Sequence, residues 1–338
     1  MSCQKEVMVM DERLLLLRRW LREELALPVQ RLSLASGDAS FRRYFRVHLE
    51  KDTYIAMDAP PDREDCRPFV RVAAAFAGRG LNVPRILEAD LERGLLLLSD
   101  FGDRQYLAAL DEASAPRLYG DALAALLRLQ AGGGDEEDAA LPPYNEALLM
   151  QEMALFRDWF LELHLGVMLD AGQLEVLQAA FAKLAVVALE QPRVWVHRDY
   201  HSRNLMVLAK DNPGILDFQD AVLGPVTYDL VSLLRDCYIH WPSDRVQAWL
   251  AAYHRQAVAR GLLDGVSLAQ LGHWFDWMGV QRHLKAVGIF ARLHHRDGKP
   301  GYLVDIPRTY GYLLEASARH AGLAELHALL KSLPLLAE

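Results

Sequence analysis

The order of two sequence patterns along the chain constrains its fold most strongly. The first 100 residues hold five short strand-like runs and few helical patterns, whereas the residues from Tyr106 onward carry mainly long helical patterns. Short consecutive strands joined by short turns favour antiparallel pairing. The sequence therefore predicts an α+β protein, with a small antiparallel sheet lobe at residues 1–100 and a larger, mainly helical lobe at residues 101–338.

The individual elements follow from the spacing of apolar residues and from the positions of Pro and Gly. An amphipathic helix is predicted at residues 12–27, where Pro28 ends the pattern, and one further helix at residues 65–79 interrupts the strand-like runs. The predicted strands are residues 31–36, 41–49, 53–60, 85–90 and 94–100. Later helices are predicted at residues 105–130, 144–168, 172–190 and 274–292, with brief strands between residues 194 and 217 and a solvated loop at residues 132–138.

Composition excludes several classes of protein. The chain has 37 basic and 45 acidic residues, a net charge of −8, which argues against a protein that coats nucleic acid. No run approaches the roughly 20 apolar residues of a membrane span, and Met1 to Asp11 lack a signal-peptide core. The odd, scattered cysteines Cys3, Cys66 and Cys237 suit a reducing compartment. We expect a cytoplasmic protein with no nucleic-acid or membrane partner and no obligate protein partner.

Residues 194–220 carry the most informative motif. His197-Arg198-Asp199 is followed by Asn204, and thirteen residues after Asn204 by Asp217-Phe218. This spacing matches the phosphotransfer signature H-R-D-x-x-x-x-N followed by D-F-G, except that Gln219 replaces the Gly. Alternatively, His197-Arg198-Asp199 could form a surface turn and Asp217 could cap the end of a strand. This interpretation does not account for both spacings together.

The residue types in this motif suit transfer of a phosphoryl group to a hydroxyl. A carboxylate can align the attacking hydroxyl and accept its proton, which predicts Asp199 as the catalytic base. Mg²⁺ prefers hard oxygen ligands such as an amide carbonyl and a carboxylate, which predicts Asn204 and Asp217 as the metal ligands. The cofactors implied are ATP and Mg²⁺.

The segment resembles the aminoglycoside phosphotransferase and choline kinase family. The second histidine of His197-x-Asp199-x-His201-x-x-Asn204 is similar to the pattern of that small-molecule family, and residues 225–230 resemble its helix-opening motif. The resemblance implies a two-lobed, protein-kinase-like fold and a small-molecule acceptor that His201 helps to bind. Within residues 225–230, an ordinary helix cap is the simpler role for Asp229.

Nucleotide binding is predicted in the first lobe. Ser36 to Ser40 resembles the hairpin that covers the phosphates, which assigns Gly37 and Ser40 to the nucleotide, although an ordinary β-turn fits the same residues. Asp100-Phe101-Gly102 follows the last strand of this lobe and occupies the position of the hinge. Ser99 and Phe101 are therefore expected to contact adenine.

The lysine that the family carries on the third strand is missing. Met57 stands in its place, and Phe69 stands near the position of its glutamate partner. Arg42, Arg43 and Arg46 follow the predicted hairpin, and we expect Arg43 to neutralise the phosphates. All three arginines are equally compatible with a solvated strand face.

The acceptor is expected to bind to aromatic and basic residues of the second lobe. The candidates are Arg235, Trp274, Arg282 and Lys285, each of which could instead serve core packing or surface pairing. These residues, with residues 54–61 and 296–299, resemble the bacterial anomeric sugar kinases of this family, which phosphorylate C1 of N-acetylmuramate and N-acetylglucosamine in cell-wall recycling. Other acceptors, such as an aminoglycoside, a choline-like alcohol or homoserine, remain open, as does a nucleotide-binding pseudokinase.

Overall fold

The computed structural model describes residues 11–36, 41–131 and 141–334. The predicted phosphate-binding residues Gly37 and Ser40, and the predicted loop at residues 132–138, lie outside these ranges. The chain forms two compact units. The first contains the described residues up to Ala73 together with Pro84–Gly102, and the second contains Ala74–Val83 and the described residues from Asp103 onward.

The first unit is built on one five-stranded antiparallel sheet with the order β1-β2-β3-β5-β4. Each predicted strand is present: the first has the predicted bounds, and the other four are shorter by one to three residues. The strands are β1 (Arg31–Ser36), β2 (Arg43–His48), β3 (Thr53–Asp58), β4 (Ile86–Asp90) and β5 (Leu95–Ser99). In the turn between β4 and β5, Gly94 has a φ of +68°, and a Cβ atom there would overlap the carbonyl oxygen of Ala59.

An amphipathic helix, α1 (Glu12–Arg19), covers one face of this sheet and continues as a π-helical turn at Trp20–Glu24. Leu17, Trp20 and Leu21 are buried against alternate residues of the strands, because successive side chains of a strand point to opposite faces. Arg13 of α1 pairs with the fully buried Asp58 at the end of β3. The helix is thus held by apolar packing and by one buried ion pair.

The second unit is mainly helical. The helix predicted at residues 105–130 is interrupted. Leu110 is extended, and the Asp111 carboxylate then accepts hydrogen bonds from the backbone N–H groups of Ala113 and Ser114, which form a turn before the helix resumes. Helix α2 (Arg67–Gly78) begins in the first unit and ends in the second. The others are α3 (Tyr106–Ala109), α4 (Ala115–Gln130), α5 (Glu146–Leu155), α6 (Ala171–Leu189), α7 (Tyr228–Leu234), α8 (Ser243–Ala259), α9 (Leu268–Asp297), α10 (Ile306–Ala318) and α11 (Ala324–Ser332), with a π-helical continuation of α5 at Phe156–His164.

Helix α9 is the central element of the second unit. It has 30 residues, more than the predicted 274–292, and it packs against α5, α6, α7 and α10. Gly288 allows the closest of these approaches, since a Cβ atom there would lie 2.3 Å from the backbone carbon of Leu155. Because α9 is buried along most of its length, its polar side chains point into the interior of this unit.

Four short strands shape the loops that carry the phosphotransfer motif. β6 (Arg193–Val196) pairs with β9 (Val222–Pro225), and β7 (Leu205–Met206) pairs with β8 (Gly214–Ile215), both antiparallel. β9 lies beyond the region where the sequence analysis expects short strands. These two ladders fix both ends of the loop between β6 and β7 and the segment after β8.

Among the described residues, α6 alone is long and apolar enough to cross a membrane, with 19 residues and a mean hydropathy of 1.4 in its most apolar window. This run contradicts the expectation that no segment approaches the length of a membrane span. In the structure α6 packs against α5, α9 and α11, and 33% of its most apolar window is buried.

Candidate active site

The motif His197-Arg198-Asp199 occupies the loop that follows β6. His197 is fully buried, and its Nε2 lies 2.9 Å from the carbonyl oxygen of Leu216, so this nitrogen carries the hydrogen. Its Nδ1 therefore accepts a hydrogen bond of 3.2 Å from the backbone N–H of Asp199. Burial lowers the pKa of His197 to about 4, so the ring is neutral at pH 7 and acts as a spacer that fixes Asp199.

Asp229 holds the backbone of the same loop. Its carboxylate accepts hydrogen bonds from the N–H groups of His197 at 2.6 Å and Arg198 at 3.0 Å. Arg198 has a φ of +77°, a conformation that a non-glycine residue keeps only when its surroundings hold it. Thr227, not Asp229, stands at the N-cap of α7, so the cap predicted for Asp229 is wrong. Burial raises the pKa of Asp229 to about 7.

Asp199 opens into a small cavity of about 70 Å³. Burial by itself raises the pKa of Asp199, but the positive charges of Lys285 and Arg282, together with His201, lower it to about 2. Asp199 is therefore an ionised hydrogen-bond acceptor at neutral pH. The cavity is lined by Asp199, His201, Tyr228, Cys237, Tyr238, Arg282, Lys285, Ala286, Ile289 and Phe290.

Asn204 and Asp217 are linked to Asp199 by hydrogen bonds. The Asn204 amide nitrogen donates to the Asp199 carbonyl oxygen at 3.0 Å and lies 3.5 Å from Asp217 Oδ2. Gln219, which replaces the usual glycine, donates from its amide nitrogen to Asp217 Oδ1 at 2.9 Å. Because the Asn204 nitrogen makes these contacts, its amide oxygen is the atom that would bind a cation. The donor set is an amide oxygen and a carboxylate, which fits Mg²⁺.

The described residues contain no group of three or more His, Cys, Asp or Glu side chains that could hold a metal ion. Asn204 and Asp217 would thus share Mg²⁺ with phosphate oxygens, which is the usual arrangement for this ion in phosphoryl transfer.

A buried carboxylate, Glu152 of α5, organises the cations near Asp199. It pairs with Arg198 of the loop between β6 and β7 and, at 2.9 Å, with Lys285 of α9. Tyr144 donates its hydroxyl to the same carboxylate. Burial raises the pKa of Glu152, but the charges of Lys285 and Arg198 outweigh this effect and lower it. Glu152 therefore fixes the positions of one cavity cation and of the residue that precedes Asp199.

The structure brings three of the predicted acceptor residues to the cavity of Asp199, namely His201, Arg282 and Lys285. Two predicted acceptor residues are not there. The guanidinium of Arg235 pairs with Asp276 at 2.7 Å and is buried, and the indole of Trp274 donates to Glu190 at 2.7 Å. Both lie on elements that border the site, but their side chains are used to join helices of this unit. Neither residue lines the cavity of Asp199, and their contact with the acceptor stays a prediction.

The prediction for Arg43 conflicts with its position in the sheet. Arg43 pairs with Asp58 in the strand register and its guanidinium binds the carboxylates of Asp58 and Asp11. These side chains lie on the sheet face that α1 covers. Tyr44 is the register partner of Met57, so Met57 points to the opposite face. Arg43 thus cannot occupy the place of the missing lysine, whereas Arg46, which pairs with Asp100, shares the face of Met57.

The remaining residues predicted to bind the nucleotide, Ser99 and Phe101, lie at the end of β5 and just after it. Ser99 accepts a hydrogen bond at Oγ from the backbone N–H of Arg85, and its own N–H donates to the Arg85 carbonyl, both at 2.9 Å. Phe101 is half-buried and precedes Gly102, whose φ is +77°. Their contact with adenine stays a prediction.

Sequence reasoning misses several residues of the site. Glu152, Tyr228 and Cys237 are separated from the motif in sequence and meet it only through packing of α5, α7 and α9, whereas Tyr238 is already an aromatic candidate in the sequence after α7. One signal was available for Glu152: it is an acidic residue within the apolar run Leu148–Phe156, where a charge needs a buried partner.

Comparisons with known proteins agree with the phosphotransfer motif and with the kinase-like fold. The sequence profile of the phosphotransferase enzyme family matches residues 31–266. The chain is 51% identical over 313 residues to the N-acetylmuramate/N-acetylglucosamine kinase of Pseudomonas aeruginosa, covering 92% of this chain and 91% of that protein. Proteins of the same name from Pseudomonas putida and Neisseria meningitidis serogroup B are 45% and 42% identical, covering 96% and 89% of this chain and 97% and 90% of those proteins.

Solved structures are similar to this one in fold. The GDP complex of aminoglycoside 2'-phosphotransferase-IIIa has a TM-score of 0.63 at 15% identity, covering 91% of this chain and 99% of that chain. An ethanolamine kinase of Plasmodium vivax has a TM-score of 0.60 at 10% identity, covering 83% and 81%. The kinase-like α+β fold predicted from the sequence is thereby confirmed.

Proposed function

Since this chain belongs to the phosphotransferase enzyme family, we propose that it is an ATP-dependent kinase of N-acetylmuramate and N-acetylglucosamine. The product is the sugar 1-phosphate, formed on the anomeric C1 hydroxyl, and the physiological role is the recycling of cell-wall peptidoglycan in the cytoplasm. The relatives of that name support the acceptors. The anomeric position and the physiological role rest on the resemblance to the anomeric sugar kinases.

The observation that carries the proposal is an ionised Asp199 in the wall of a cavity that also contains cations and aromatic rings. Asp199 accepts a hydrogen bond from the acceptor hydroxyl and aligns its oxygen for attack in line with the leaving group. A pKa of about 2 makes Asp199 a weak base. This suffices in a largely dissociative transfer, where the hydroxyl becomes acidic only as its bond to phosphorus forms.

Asn204 and Asp217 supply the oxygen ligands for Mg²⁺, which neutralises charge on the phosphate oxygens when it is bound. Gln219 and the Asn204 amide hold the Asp217 carboxylate through hydrogen bonds. The first lobe, residues 1–100, is assigned to covering the nucleotide, with Gly37, Ser40, Ser99 and Phe101 as proposed contacts. Residues 101–338 are assigned to catalysis and acceptor binding.

The cavity chemistry favours an amino sugar over a polycationic antibiotic. Arg282 and Lys285 give the cavity positive charge, whereas a site for an aminoglycoside needs acidic residues. Tyr228, Tyr238 and Phe290 offer rings against which a pyranose can pack.

The test is incubation of the purified protein with Mg-ATP and, separately, N-acetylmuramate, N-acetylglucosamine, kanamycin and choline, followed by phosphorus NMR of the products. A sugar 1-phosphate resonance is expected with the first two acceptors. Phosphate on kanamycin or choline alone would keep Asp199 as the base and discard the proposed acceptor. Turnover of none of the four, with ATP bound, would favour a binding-only protein.

A further inference from the structure

Arg282 is a buried cation without a carboxylate partner. Its side chain lies on α9 and lines the cavity of Asp199, and the residue is only 5% exposed. Its one hydrogen bond among the described residues is from Nη1 to the sulfur of Cys237, at 3.6 Å. Its Nε is buried and has no hydrogen-bond partner. A buried guanidinium with no carboxylate in direct contact keeps donor groups that an anion entering the cavity can bind.

The neighbouring cation of the same cavity is satisfied. Lys285 pairs with Glu152 at 2.9 Å and donates to the hydroxyl of Tyr228 at 2.9 Å. No Asp or Glu oxygen of the described part of the chain lies within 4.0 Å of the Arg282 guanidinium. Asp199 and Asp236 influence Arg282 only from a greater distance. Of the two cations, Arg282 is therefore the one that can accept an anion without breaking a protein ion pair.

We propose that Arg282 binds the carboxylate of the lactyl group of N-acetylmuramate and thereby makes the enzyme prefer this sugar to N-acetylglucosamine. This inference rests on the proposed function. N-acetylmuramate is N-acetylglucosamine with a lactyl ether at C3, so the carboxylate is the one charged group that distinguishes the two acceptors. A planar guanidinium can bind both oxygens of a carboxylate. N-acetylglucosamine leaves the guanidinium unpaired, which weakens its binding.

The first experiment compares both sugars with the wild-type protein and Arg282→Met. Methionine keeps much of the apolar volume and removes the charge. The ratio of kcat/KM for N-acetylmuramate to kcat/KM for N-acetylglucosamine should fall about 100-fold, mainly through a higher KM for N-acetylmuramate. Arg282→Lys should recover part of the ratio. Arg292→Met is the matched control, because Arg292 is a partly buried arginine of the same helix that does not line the cavity. It should leave the ratio as in the wild type.

A second experiment changes the ligand instead of the protein. N-acetylmuramate whose lactyl carboxylate is converted to an amide keeps its shape but loses its charge. The wild type should discriminate against this amide, and Arg282→Met should treat the acid and the amide alike. If Arg282→Met instead discriminates as the wild type does, the carboxylate is bound elsewhere and the inference is wrong.

The outcomes separate this inference from the proposed function. If the wild type phosphorylates both sugars and Arg282→Met loses both equally, Arg282 serves the transferred phosphate or Asp199, and only the specificity role is overturned. If the wild type phosphorylates neither sugar, the proposed function itself fails.

Thermal unfolding with and without ligand gives a readout independent of turnover. The ligand-free melting temperature of Arg282→Met serves only as its reference, because this substitution removes both a desolvated guanidinium and its attraction to Asp199. Added N-acetylmuramate should raise the melting temperature of the wild type more than that of the variant. Equal rises in both proteins would contradict the inference.

Discussion

At the scale of single residues, the site is a set of buried ionisable groups with different environments. Asp199 is ionised because cations surround it, and His197 is neutral because its burial outweighs the opposing effect of the nearby Asp199 carboxylate. Asp229, also buried, holds two backbone N–H groups. The loop between β6 and β7 therefore depends on protonation states that burial and neighbouring charges determine together.

Replacing Asp199 tests its role directly. Asp199→Asn should lower kcat by between about 100-fold and 10,000-fold, because the amide cannot accept the proton of the hydroxyl. Binding of Mg-ATP, followed by calorimetric titration, should remain close to that of the wild type. The matched control is Asp211→Asn, since Asp211 is exposed and has a φ of +50° that asparagine adopts readily. Unchanged turnover in Asp199→Asn would remove this residue from the mechanism.

The buried neutral histidine predicts a pH dependence of stability. Burial lowers the pKa of His197 from 6.5 to about 4, so the folded protein binds fewer protons than the unfolded chain between these values. His197 thus contributes full stability above pH 6.5, and this contribution is lost as the pH falls toward 4. The free energy of unfolding should decline by about 1.4 kcal/mol per pH unit in this window from His197 alone.

Urea unfolding at pH 6.5 and pH 5 measures this effect. His197→Gln should lose about 2 kcal/mol less than the wild type between the two pH values. His283 is buried in the same way, with a pKa lowered to about 3, and keeps its own contribution in that variant. His240→Gln, at an exposed histidine, should behave as the wild type does. Equal losses in His197→Gln and the wild type would mean that His197 does not titrate as described.

At the scale of elements, α9 connects the core of the second unit to the cavity. It carries Arg282 and Lys285, and its contact with α5 depends on Gly288. Glu152 of α5 pairs with Lys285 across the same contact. The spacing between α5 and α9 therefore controls both the packing of this unit and the positions of the cavity cations.

The same substitution at two glycines of α9, Gly272 and Gly288, compares an open position with a tightly packed one. Gly288→Ala should destabilise the protein by about 3 kcal/mol, because its Cβ would overlap the backbone of Leu155 and force the helices apart. Gly272→Ala should stabilise it by about 0.5 to 1 kcal/mol, since nothing lies within 4 Å of the added atom. Chemical denaturation of both variants measures the difference. Equal effects at both positions would contradict the close approach of α9 to α5.

At the scale of the whole molecule, the apolar composition of α6 must be reconciled with its position. The helix is long and apolar enough for a membrane span, yet it packs against three other helices of the second unit. Leu184 is 1% exposed, whereas Val186, two residues later, is 65% exposed. Such a difference in exposure between the two sides of one helix is typical of a helix that packs one side against the core and exposes the other side to water.

Lysine substitutions on the two sides of α6 test this position. Val186→Lys should leave the melting temperature in detergent-free buffer close to that of the wild type, because an exposed change has a small effect. Leu184→Lys should unfold the protein or lower its melting temperature strongly, because it buries an unpaired charge. If Val186→Lys were as damaging as Leu184→Lys, the exposed side of α6 would have to be covered by something apolar.

The sequence by itself determined those features that depend on neighbours along the chain. The strands of the first unit follow from alternating side chains, and the spacing of Asp199, Asn204 and Asp217 predicts phosphoryl transfer. The break at Asp111 in the predicted helix 105–130 does not follow from the sequence, because an aspartate can also lie within a helix. The hydrogen bonds that its side chain makes in the structure decide between a helix and a turn.

Only the tertiary structure decided which charged side chains meet. Neither Arg235 nor Arg282 has its partner nearby in the sequence: Arg235 pairs with Asp276, and Arg282 faces the cavity of Asp199. The sheet register likewise directs Arg43 away from Met57. The physical reason is that a charge is satisfied by whichever partner packing brings within a few ångströms, and residue type and spacing carry no information about partners that lie far away in the chain.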